Sequence, residues 1–158
     1  MNIADVCAKL AAIEKTLHVE VEDLGEFSVV DAHQFMPNIV SLDTPCFMHT
    51  WRLSSVGLAM GFPNGYRVQN YVVGIQAFIE KTTAGSATWS RVATAFHLAL
   101  MDALSASLKL EEGNIRLDTL RSGAEAGTLT RLEWNDIAYV GLDYELDVVI
   151  DGVALVAP

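Results

Sequence analysis

The sequence predicts an α+β fold: a mostly antiparallel sheet with two main helices packed on one face, plus a projecting β-hairpin, in a single domain over residues 1–158. Three observations carry this expectation. Two segments, one at the N-terminus and one after residue 85, repeat apolar residues at three- and four-residue steps, the period of a helix. Three others alternate side chains between two faces, the period of a strand. The elements follow in the order helix, strands, long strand, helix, closing strands. Two helices on one face of an antiparallel sheet satisfy that order as a two-layer architecture.

From Asn2 to Leu17, Ile3, Val6, Cys7, Leu10, Ile13 and Leu17 form one stripe, with Asp5, Lys9, Glu14 and Lys15 read as lying off it. Asn2 is suited to cap the start, and Gly25 falls in the turn that follows. Residues 19–45 are mixed. Val19, Val21, Phe27 and Val29 suggest short extended pieces, and the residue before Pro37 is held extended. Cys46 to Ser55 reads as a strand with Phe47, His49, Trp51 and Leu53 on one face. The pair Asn64-Gly65 signals a hairpin turn, and Tyr66 to Lys81 reads as the long strand that follows it. Both faces of that strand are apolar, which suits a central or interfacial position. Thr82 to Gly85 is a turn, and Ser86 or Thr88 is suited to cap a second helix reaching about Ser107. Its stripe is Trp89, Val92, Ala93, Phe96, Leu100, Ala103 and Leu104. Gly113-Asn114 ends that region, and the loop from Ser122 to Gly127 joins two short strands, Ile115 to Leu120 and Leu129 to Trp134. From Val140 to Asp151 the alternation is nearly perfect, with one apolar face and one acidic face.

Composition limits the function. The 158 residues carry 10 basic and 20 acidic side chains, a net charge of −10, with pI ≈ 4.6. A phosphate-backbone binder or an anionic-lipid binder needs a basic face, so neither class fits. Apolar residues make up 51% of the chain and its mean hydropathy is +0.30. That is too apolar for a disordered chain and high for a small monomer, so part of the apolar surface is expected to meet a partner. Two cysteines, Cys7 and Cys46, in unrelated segments suit a reduced compartment and give no disulfide framework. No secretory signal is expected, and the longest run free of charged residues, Leu53 to Tyr66, is short and broken by glycines and Pro63. The chain is expected to be soluble, with no membrane partner, and made in a cytoplasm.

Motifs for catalysis are missing from the sequence. It holds no glycine-rich phosphate loop, no paired-histidine zinc motif and no nucleophile elbow. His18, His33, His49 and His97 are far apart, none at helical spacing from another, and read as solvated or partly buried. His97, beside the stripe of the second helix, reads as a hydrogen-bonded interior histidine. No enzyme activity, catalytic residue, cofactor or metal is expected. The one chemical feature with a pattern is the acidic ladder Asp143, Glu145, Asp147 and Asp151. Three readings are open for it. It is a solvated strand face. It is a cation site, although carboxylates two apart on a strand stand roughly 7 Å apart and need ligands from other segments. Or, in a ring of copies with this face inward, it is a stack of acidic rings that repels DNA. Among the aromatics, Trp89 reads as core, whereas Trp51 and Phe62 read as exposed on the hairpin and so as partner contacts.

The layout resembles the tail terminator (tail completion, or neck) proteins of long-tailed bacteriophages. The resemblance rests on the amphipathic helix Ile3 to Leu17 followed by the step Phe35-Met36-Pro37. It rests also on the long strand from Asn70 to Ile79, leading through a polar turn into a helix ending near Ala103-Leu104, and on the closing strand from Leu142 to Ile150. It covers most of the chain as element order and pattern, and Pro45 to Gly65 is the least typical stretch. The resemblance implies a virion protein, assembled in the host cytoplasm, that forms a hexameric ring. The ring caps the tail tube, ends its polymerisation and docks to the head through connector or stopper proteins. DNA would pass through its lumen without specific binding, with Asp143, Glu145, Asp147 and Asp151 facing inward. Tyr71, Val73 and Ile75 on the long strand, with Trp51 and Phe62 on the hairpin, are the expected contacts between copies and to partners. Other head–tail connector proteins, such as a stopper, are the alternative within this class, and a small enzyme or ligand-binding domain the alternative outside it.

Overall fold

The computed structural model describes residues 2–59, 66–107, 115–122 and 129–154. Helix α1 is Ile3–Lys15. Asn2 starts it: the Asp5 amide donates to the Asn2 side chain at 3.0 Å, and the Asn2 amide donates to the Asp5 carboxylate at 2.9 Å. This reciprocal cap satisfies two amides that helix geometry leaves without partners. Ile3, Val6, Cys7, Leu10 and Ala11 are buried, as their spacing predicts. Glu14 is a correction. Expected off the stripe, it stands seven residues after Cys7, two turns along the same face, and is fully buried.

Strands β1 (His18–Val21) and β2 (Gly25–Ser28) form a small antiparallel hairpin of their own. The main sheet contains β3 (Asp31–Ala32), β4 (Cys46–Ala59), β5 (Tyr66–Lys81), β6 (Ile115–Ser122), β7 (Leu129–Trp134) and β8 (Ile137–Ala154). Its order is β3-β4-β5-β8-β6, with β7 also paired to β8. Thus β6 and β7 lie one after the other along the outer side of β8. All pairings are antiparallel except the short β3–β4 contact. The long strand β5 is central, between β4 and β8. Tyr66, the first residue of β5, stands opposite both Ala59 of β4 and Ala154 of β8. The projecting hairpin is therefore a three-stranded ribbon. Its expected turn, with Phe62 and Asn64-Gly65, lies outside the described residues, as do Gly113-Asn114 and most of the loop from Ser122 to Gly127.

Helix α2 is Ser86–Ala106. A short 3-10 turn, Thr82–Ala84, precedes it, and Gly85 stands at its N-cap with φ of 105°, a left-handed conformation that favours glycine. No side chain caps the helix. The expected cap at Ser86 or Thr88 does not form, because the turn enters the helix through this glycine and Ser86 is already helical. Val92, Ala93, Phe96, Leu100 and Leu104 are buried.

Both helices cover the same face of the sheet. Leu10 of α1 and Val92, Phe96 and Leu100 of α2 join one core with Phe47, Val73, Ile75, Ala77, Ile79, Leu142, Tyr144, Leu146 and Val148. Burying such side chains contributes roughly 1.5–3 kcal/mol each before the entropy of ordering them. The opposite face carries a second, smaller core at one end only: Leu42, Cys46, Met48, Phe78, Leu132 and Tyr139. Residues 33–45 form an irregular strap at that end, held where the Trp134 indole donates to the Ile39 carbonyl at 3.1 Å and the Asn135 amide to the Val40 carbonyl at 3.2 Å.

Candidate assembly interface

Strand pairing brings the acidic ladder to the sheet face opposite the helices. Asp143 stands opposite Gln76, Glu145 opposite Gly74 and Asp147 opposite Val72. On the far side of β5, Met48, Thr50 and Arg52 continue these three rows. Arg121 of β6 stands opposite Glu145. Its guanidinium donates to Asp147 and, at 3.2 Å, to Glu145. These two carboxylates hold the arginine charged by raising its already high pKa. Burial, and then the Glu145 charge, raises the Asp143 pKa. The ladder is thus braced by a cation and is not a bare row of charge. Its regularity also ends before Asp151. Gln69 and Arg67 of β5 face Ile150 and Val153 of β8, so β8 holds one residue more than β5 between these pairs, and Asp151 lies within that irregularity. Beside Arg121 the face forms an open groove of about 340 Å³ lined in part by Arg52, Ser55, Asn70, Asp118 and Asp147.

The second feature is an edge. Strand β3 pairs with β4 only at Cys46 and Phe47, and the His33 amide donates to the Phe47 carbonyl at 2.8 Å. Beyond that point no strand among the described residues pairs with the outer side of β4. A register shift at Leu53/Ser55 bends this stretch of the ribbon. Trp51, Leu53 and Val56 are 46%, 48% and 40% exposed along it. Trp51 rests edge-on against Tyr71, ring centres 5.7 Å apart. An open, apolar edge presents unpaired amides and carbonyls to any strand that approaches, and natural proteins usually block such edges.

Of the expected contact residues, Trp51 lies on this surface and Phe62 lies outside the described residues. Tyr71, Val73 and Ile75 do not form a contact surface. Tyr71 is 9% exposed and the other two are fully buried, because the helices of the same chain cover that face.

The four histidines do not gather into one site. His18 meets Ser28, and His33 lies 3.6 Å from Asp31. His97 is half-buried with Nδ1 2.5 Å from the Tyr144 hydroxyl, an interior histidine as its place on the helix predicts. Among the described residues no group of three or more His, Cys, Asp or Glu side chains could hold a metal ion. His49 belongs to a pair that the sequence did not disclose. Its Nε2 lies 3.0 Å from Glu14 Oε1, and both side chains are wholly buried. The signal available was the seven-residue step from Cys7 to Glu14, which places a carboxylate on the buried face of α1.

Neither a protein-family model nor a curated protein matches this chain. No helix among the described residues is long and apolar enough to cross a membrane.

Proposed function

We propose that this chain is a structural assembly subunit of the tail-terminator kind. Copies close into a ring that caps a phage tail tube, ends its growth and docks to the head, with no catalytic step. The observation that carries this reading is the edge of β4 that stays open among the described residues, set with Trp51 and Leu53, which share the helix-side face with Phe47 and Tyr71 yet remain half exposed, and with exposed Val56. Such an edge supports association by strand addition, in which backbone hydrogen bonds give affinity and the flanking apolar side chains add burial. A ring requires a heterologous contact, so the β4 edge of one copy meets a different patch of the next. With the helices outward, the open face turns to the lumen. There Asp143, Glu145 and Asp147 present carboxylates to passing DNA, and Arg121 moderates their charge. The head-side partner would be a connector or stopper protein, and the virion neck its final location.

The reading is tested by adding the protein to growing tail-tube subunits and measuring tube lengths by electron microscopy. Shortened tubes with the protein at one end support it. Unchanged tube growth, with binding instead to portal or connector rings, overturns it in favour of a stopper.

A further inference from the structure

The buried pair Glu14–His49 lies where three elements meet. Glu14 comes from the last turn of α1, His49 from β4, and the His33 carbonyl, just past β3, accepts from His49 Nδ1 at 2.8 Å. A carbonyl can only accept, so Nδ1 carries a proton. The opposite ring nitrogen faces the carboxyl group, with Oε1 and Oε2 both 3.0 Å away and Oε2 without a hydrogen bond of its own. One proton must lie in that contact, on nitrogen or on oxygen. With it the pair is neutral overall. Without it a buried carboxylate faces an imidazole lone pair, an uncompensated charge of the kind that interiors do not tolerate. The same joint is tied at its rim: Gln34 donates to the Ala4 carbonyl at 2.6 Å, and Lys15 donates to the Val30 carbonyl and lies 3.6 Å from Asp31.

We propose that the Glu14–His49–His33 chain is a proton-dependent lock that holds α1 and the β3 segment on β4, and that loss of its shared proton loosens this joint and lengthens the exposed β4 edge. The lock does not depend on the ring reading.

Cys7 faces the pair from α1, and burial followed by the Glu14 charge pushes its thiol up to about 11, so it stays protonated. From the β3 segment, the side chains of Asp31 and His33 pair with each other. Burial raises Glu14, with the His49 hydrogen bond and charge pulling back. For His49, burial pulls the imidazolium down, but the Glu14 hydrogen bond and charge, with backbone carbonyls of His33 and Gln34, outweigh it and raise the group above its ordinary 6.5. Above pH 6.5 the unfolded chain therefore holds no proton on either group, while the folded pair keeps one. Stability from the pair is full below 6.5 and is lost as pH rises, about tenfold in the unfolding equilibrium per pH unit, or about 1.4 kcal/mol.

The test is urea denaturation of the full chain from pH 5.5 to 9, read as the difference between wild type and Glu14→Gln. A glutamine amide can donate to Nε2 of neutral His49, so the folded variant keeps no extra proton. The expected difference is a reversed slope. Wild type loses stability above pH 6.5, whereas Glu14→Gln is flat there and loses stability below 6.5, where only its unfolded histidine takes up a proton. His49→Gln leaves Glu14 as the single group, and because its decline starts from the ordinary 4.5 of a glutamate it is already under way at pH 5.5, where wild type is still flat. Parallel profiles for wild type and Glu14→Gln overturn the proposal. If both variants fail to fold, hydrogen exchange of wild type decides. After correction for intrinsic rates, amides of α1 and residues 31–34 lose protection above pH 6.5 ahead of β5 and β8 amides if the lock exists. Equal loss in all of them overturns it.

Discussion

The two faces of the central sheet come from the same strands and are held in different ways. Toward the helices, Val73, Ile75, Leu142, Tyr144 and Leu146 are dry and pack into one continuous core. Away from them, the matching rows are Val72, Gly74 and Gln76 against Asp147, Glu145 and Asp143, fixed by backbone pairing and by Arg121. Helix-side stability comes from burial, whereas the open face contributes shape and charge. A strand pattern states which residues share a face, but which face is covered is decided by where the helices land.

That contrast is open to direct tests, the first of which is the largest. Phe96 is fully buried between α2 and the sheet. Phe96→Ala removes a ring from the helix-side core and is expected to cost about 3–5 kcal/mol in urea denaturation. A loss under about 1 kcal/mol would mean that the helix layer is not what holds the sheet. The Glu14→Gln and wild-type comparison across pH lies between, because it probes one buried polar joint within the same covered layer. The smallest effect belongs to the open face. Burial and then Glu145 raise the Asp143 pKa, so the ionised carboxylate is mildly unfavourable there and its cost is present at neutral pH and removed by acid. Asp143→Asn is expected to raise stability at pH 7 by less than about 0.5 kcal/mol, and to change nothing near pH 3, by the same denaturation measurement. A large loss at pH 7 would make the ladder a structural element after all.

Much of this architecture was legible in the sequence. Period-two alternation from Val140 to Asp151 located β8, and apolar steps located both helices, because burying one face demands that spacing. Parity also placed Tyr71, Val73 and Ile75 on one face correctly. It did not show that this face is core, since covering it depends on contacts distant in sequence. Glu14 has the residue type of the solvent side and the spacing of the buried stripe, and the spacing decides its place. The start of α2 carries no capping signal in the sequence, because Gly85 reaches the helix through backbone conformation with no side-chain hydrogen bond. The open edge was not legible at all. It exists because β3 stops after two residues, and only the strand order shows that, among the described residues, β4 has no outer partner beyond Phe47. The bracing of Glu145 and Asp147 by Arg121 was hidden for the same reason, with β6 lying far from β8 in sequence and beside it in space.

The central claim is that copies associate through the β4 edge. Light scattering behind a sizing column, across a dilution series, with negative-stain images of the largest species, tests it most directly. Wild type is predicted to give a closed ring of roughly six copies. Trp51→Glu with Leu53→Glu, at side chains already half exposed, is predicted to keep the circular dichroism spectrum of wild type and remain a monomer. A wild-type monomer at every concentration, or a ring that persists in the double variant, would contradict the account.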